Sequence, residues 1–170
     1  MLRKRSYQPV APALHLACLC STLLLASVSA VQAQTPGPEF INPPGLTRPT
    51  GYTHVVVSAD GRTAYIAGQV AFDSSGTVVG VGDFQAQAEQ VFANLRRALT
   101  SIGASFGDVM KTTTFITDLK NIPPLRETRA RYFEAAHPPA NTLIPVTALA
   151  RPDLLLEIEA VADLPKGRQR

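Results

Sequence analysis

Only two stretches of this chain carry the 3.6-residue period of a helix, while at least five read as strands, and that imbalance limits how it can fold. Asp83 can cap a helix whose apolar positions are Phe84, Ala88, Val91, Leu95, Ala98 and Ile102. Gly103 follows the stripe and suits a left-handed stop. Gln85, Gln87, Glu89, Arg96 and Arg97 are left for the water-facing side. Pro123-Pro124 opens the second helix, Leu125, Thr128, Tyr132 and Phe133 form its inner side, and Pro138-Pro139 ends it.

The strands surround these helices. His54 to Ser58 is β-branched, Asp60-Gly61 is a hairpin turn signal, and Thr63 to Val70 is the return strand. A short strand is expected at Thr77 to Val79, and longer ones at Val109 to Leu119, Leu143 to Leu149 and Leu154 to Ala162. The expected architecture is α+β: one mixed sheet with both helices packed on one face. Two helices cannot cover both faces, so self-association is expected to cover the other.

The first 33 residues read as an address. Arg3, Lys4 and Arg5 precede an almost wholly apolar run from Ala11 to Val28, and Val31-Gln32-Ala33 fits a cleavage site. The expectation is a secretory signal peptide and an exported protein, periplasmic or secreted, with no membrane attachment after cleavage. A retained membrane anchor is the alternative, although the run is borderline in length and carries His15. Residues 34–50 hold five prolines and should form an extended lead-in; residues 51–165 should be the folded domain and 166–170 a basic tail.

Cleavage changes the charge and the chemistry. The whole chain has 16 bases, 13 acids and a net charge of +3; losing Arg3, Lys4 and Arg5 leaves the two signs equal. A neutral chain is a poor binder of nucleic-acid phosphates. Cys18 and Cys20 leave with the signal, so the mature chain has no thiol for catalysis, zinc or disulfides. His54 and His137 are far apart in the sequence, and no metal site is expected. A Ser-His-Asp triad lacks the Gly-x-Ser-x-Gly elbow.

The closing strand holds the oddest pattern. Leu154, Leu156, Ile158, Ala160 and Ala162 point one way, and Leu155, Glu157, Glu159 and Val161 the other. Two carboxyls on one half-apolar face favour a raised pKa and acid/base chemistry; a solvated sheet face is the alternative. Gly68, inside a strand, either lets a ligand approach the backbone or marks a bulge.

The words Tyr65-Ile66-Ala67-Gly68-Gln69-Val70, Gln87-Ala88-Glu89-Gln90-Val91-Phe92-Ala93-Asn94-Leu95 and Val109-Met110-Lys111-Thr112-Thr113-Thr114-Phe115-Ile116-Thr117-Asp118-Leu119 come in a telling order. Tyr132-Phe133, Pro139-Ala140 and Glu157-Ile158-Glu159-Ala160-Val161-Ala162 follow them. Together they resemble the RidA/YjgF family of reactive-intermediate deaminases, from about Gly51 to Ala162. The resemblance implies a chorismate-mutase-like fold, a homotrimer with clefts between subunits, no cofactor, and hydrolysis of 2-imino acids to 2-keto acids and ammonia. It implies that Glu157 activates water, with Glu159 as neighbour, and that the backbone at Gly68 lines the cleft. A family tyrosine falls at His54 or Tyr52.

One departure stands out. Where the family has a carboxylate-clamping arginine, this chain reads Pro139-Ala140-Asn141-Thr142. An amide cannot make a bidentate charged pair, so binding of an imino acid should weaken and a neutral carbonyl or amide could be favoured. Arg126 falls near another cleft position and could restore the charge. The expectation is a cleft for a small polar metabolite, hydrolysing an imine- or enamine-like compound. A binding module without turnover and a holdase-like chaperone are the rival readings.

Overall fold

The computed structural model describes residues 37–164; the expected signal peptide, the beginning of the lead-in and the basic tail lie outside the described residues. Six strands make one mixed sheet. In chain order they are β1 (Glu39–Ile41), β2 (Val55–Val57), β3 (Thr63–Gln69), β4 (Val109–Ile116), β5 (Ala140–Pro145) and β6 (Leu156–Asp163). The helices are α1 (Phe84–Ser101) and α2 (Ile122–Ala130). Across the sheet the order is β1-β2-β3-β6-β4-β5, and only β4 and β5 run parallel.

The helical stripe sets the layering. Ala88, Val91, Leu95 and Ala98 of α1 are buried together with Phe92 and Leu99, against Ile66, Ala64, Ile158 and Ala160 of the central strands. Asp83 caps α1 by accepting from the Ala86 N–H at 3.1 Å. Gly103, at φ +69°, ends it, and the Ala104 N–H returns to the Leu99 carbonyl. Phe92 stacks on Tyr132 with ring centroids 4.5 Å apart, joining α1 to the turn after α2. The sheet is therefore covered on one face, as expected.

Five details differ from the sequence reading. The second helix ends at Ala130, well before Pro138-Pro139, so Tyr132 and Phe133 lie in the turn beyond it. The lead-in contributes β1, whose Phe40 pairs with Val56: prolines flank it but none lies inside the three residues that pair. Thr77 to Val79 makes only an isolated bridge, Val78 to Phe72. The fourth long strand starts earlier and is shorter, Ala140–Pro145 rather than Leu143 to Leu149; β4 offers eight residues and β5 pairs with six of them, ending at Pro145, which can give no ladder N–H. Finally, Gln87 is fully buried instead of facing water. Its amide donates to the Gly80 and Asp153 carbonyls and accepts from the Leu155 N–H at 2.9 Å, fastening α1 to the start of β6. A fully satisfied amide costs little to bury.

Among the described residues no helix is long and apolar enough to cross a membrane.

Candidate functional site

A bulge prepares one face. Ile66 pairs with Ala160, but the next aligned pair is Gln69 with Ile158, so three steps on β3 match two on β6. The extra residue reverses the phase of β3. Gln69 turns inward, where it is buried and donates to the Ala67 carbonyl at 2.9 Å, and Gly68 is placed beside Glu157. A Cβ at Gly68 would overlap Glu157 Oε1 and lie 2.7 Å from Cδ. Of the two sequence readings of Gly68, the bulge is present, and the neighbour that the missing side chain admits is Glu157.

Glu157 is half-buried and Glu159 is exposed, on the face away from the helices. They pair with Phe115 and Thr113 of β4 respectively, which fixes that shared face. Burial, and secondly the charge of Glu159, push the Glu157 carboxyl above the usual carboxylate range. Tyr52 stands near it: burial and then the Glu157 charge raise its phenol above its ordinary value. His54 is only 3% exposed. Its Nε2 donates to the Thr47 carbonyl at 2.8 Å and its Nδ1 accepts from Gln69 at 3.3 Å. Of the two residues the family tyrosine could fall on, Tyr52 is the one beside the carboxyl, while His54 supports it edge-on at 5.2 Å from behind.

Asn141 lies elsewhere. In β5 it pairs with Thr112, which in turn pairs with Ala160, so it belongs to the helix-covered face. Its Oδ1 accepts from Thr112 Oγ1 at 2.9 Å and Thr114 Oγ1 at 3.1 Å. There it lines a cavity of about 320 Å³ between α2 and the β4-β5 edge, with Phe92, Leu125, Leu143 and Ile158 as apolar walls. Arg126 and Arg129 line the same cavity. The sheet separates this group from Glu157, Gly68 and Tyr52, so within one chain the expected site residues fall into two clusters.

Arg129 was not singled out by the sequence. Its signal was present: three residues after Arg126 and four after the buried Leu125, it borders the inner side of α2. Nη1 donates to Thr112 Oγ1 at 3.1 Å and to Asn141 Oδ1 at 3.4 Å, Nη2 donates to the Pro139 carbonyl at 3.4 Å, and the guanidinium lies 4.6 Å over the Phe133 ring. Burial lowers its pKa from the ordinary arginine value.

Among the described residues no three His, Cys, Asp or Glu side chains gather as a metal site.

The family model described as endoribonuclease L-PSP matches residues 46–164. A RutC family protein of Synechocystis is 35% identical over 118 residues, covering 69% of this chain and 89% of that protein. Among solved structures, RidA from a Psychrobacter species is similar at 29% identity and a TM-score of 0.66, over 74% of this chain and 98% of the other. E. coli TdcF with bound serine is similar at 27% identity and a TM-score of 0.66, with the same coverage.

Proposed function

The chain belongs to the RidA/YjgF family, whose model carries the endoribonuclease L-PSP description, and from that premise we propose that it is a hydrolase of small imine- or enamine-like compounds working at a cleft between subunits. The observation that carries this is the Glu157 carboxyl, held over Gly68 with its pKa raised and Tyr52 beside it. A carboxyl that holds its proton more tightly than an ordinary carboxylate can both take and return one. Ionised Glu157 removes a proton from water as the oxygen bonds to the C=N carbon. The proton passes to the nitrogen, giving a carbinolamine; the carboxylate then takes the hydroxyl proton and returns it to the amine, so that the C–N bond breaks as the C=O forms and ammonia leaves with the carbonyl product.

The two clusters support a cleft between copies. A molecule that touched both Glu157 and the Asn141 cavity would need them from different chains, since the sheet lies between them in one. The uncovered sheet face, with Tyr65 56% and Met110 49% exposed, offers a surface for such an assembly. We take the assembly to be a homotrimer, exported after loss of residues 1–33 and needing no cofactor. TdcF, with its bound serine, gives a precedent for a small polar ligand on this fold.

The test is ammonia release from 2-iminobutanoate generated in situ by an amino-acid oxidase. Wild-type protein should accelerate it and Glu157→Gln should not. Equal rates for the two would end the proposal. Stabilisation by a ligand recovered unchanged, with no imine turned over, would leave the binding-module reading instead.

A further inference from the structure

We infer that Arg129, carried by α2, is the group that binds the acidic end of this protein's ligand, which is a small organic anion with an apolar body. This names the charge of the molecule proposed above, and depends on that reading only for what happens after binding.

The argument begins with an unbalanced charge. Arg129 is half-buried, and each of its hydrogen-bond partners is neutral: Thr112 Oγ1, Asn141 Oδ1 and the Pro139 carbonyl. Among the described residues no carboxylate lies within ion-pair distance of Arg129 or Arg126. Arg131 on the same segment differs, for it pairs with Glu89. A half-buried guanidinium whose partners are all neutral has lost part of its hydration with no counter-ion in return, and an anion would supply one. The Phe133 ring beneath it and the three acceptors hold the fork in place, so little freedom remains to be lost on binding.

The cavity supplies the remaining features. Its walls are apolar at Phe92, Leu125, Leu143 and Ile158, and its cationic groups come from α2. Asn141 adds a donor: its Oδ1 is taken up by the two threonines and Arg129, so the NH2 is the end it can offer a ligand. Two guanidinium groups, an amide NH2 and an oily wall fit a carboxylate with a short hydrocarbon chain better than a neutral amide. The expectation that Asn141 selects a neutral carbonyl therefore gives way. The amide anchors an arginine that reaches the cavity from the helix.

The experiment is calorimetric titration of the folded protein with 2-oxobutanoate and with 2-oxobutanamide, which differ in charge and little in shape. Wild type should bind the carboxylate and discriminate against the amide. Arg129→Gln should weaken carboxylate binding roughly tenfold to a hundredfold, and Arg129→Lys should recover part of it. Asn141→Asp gives the guanidinium a carboxylate of its own. It should raise Tm and abolish 2-oxobutanoate binding, and it keeps the assignment testable should Arg129→Gln not fold. Unchanged affinity in Arg129→Gln or Asn141→Asp, equal binding of the amide, or no wild-type binding at millimolar concentration would overturn the inference. If Arg129→Gln loses binding while Glu157→Gln keeps turning over imine, the anion site stands and the catalytic reading fails.

Discussion

Glu157 Oε1 occupies the space that a side chain at Gly68 would fill. The position is demanded by the neighbour, because Gly68 has no positive φ that would otherwise favour glycine. Gly68→Ala should therefore push the carboxyl aside. Its stem is flexible, so the cost in stability should be on the order of 1 kcal/mol. The cost in imine hydrolysis should be about a hundredfold or more, as for loss of a positioned acid/base. Melting curves and initial rates on the same preparation measure both. Normal rates in a well-folded Gly68→Ala would show that the carboxyl's place does not matter.

The raised pKa of Glu157 has two causes, burial first and Glu159 second. Glu159→Gln removes the second, so the acidic limb of the kcat/KM profile should move to lower pH. Stability must follow the same sign. A carboxyl that binds its proton more tightly when folded stabilises the protein fully below its unfolded pKa of about 4.3, and that contribution fades as pH rises through the folded value. Glu157→Gln cannot ionise, so its Tm relative to wild type should climb over that interval and then level off. A difference that is flat with pH would mean the carboxyl titrates normally.

Gln87 tests how α1 holds the site strand. It bonds the Gly80 and Asp153 carbonyls and the Leu155 N–H from a fully buried position. Gln87→Leu keeps the approximate volume but strands these backbone groups, at a cost of about 2–3 kcal/mol. Denaturant unfolding should show it as a lower midpoint with an unchanged slope.

These residues also mark where the sequence could be read. Periodicity exposed α1, the β2-β3 hairpin and the two faces of β6, because each depends on neighbours along the chain. Glu157 and Gly68 were legible for that reason, although their contact was not: it arises from a bulge that pairs three steps of β3 with two of β6. Gln87 was assigned to water because polarity is read one residue at a time, whereas its burial depends on two carbonyls and an amide from distant loops. Apart from its spacing from Leu125, nothing local in the sequence distinguishes Arg129 from the other cations of α2. Its cavity is walled by α1, α2, β4, β5 and β6 together, a juxtaposition that no single period encodes.

The separation of Glu157 from Arg129 by the sheet gives the sharpest check on the subunit-interface cleft. If each working cleft takes its acid from one copy and its guanidinium from the next, Glu157→Gln and Arg129→Gln should each be inactive alone. Mixed assemblies should regain activity, because an interface that joins the intact Glu157 of one variant to the intact Arg129 of the other is whole. In a mixed closed trimer purified for both variants, such interfaces are about one third of the total. Co-expression with two different tags, purification through both, and rate measurement would give the answer. Light scattering on the same material would establish the copy number. Activity in the mixture no higher than in the separate variants would require both groups to act from the same chain, against their placement on opposite faces of the sheet.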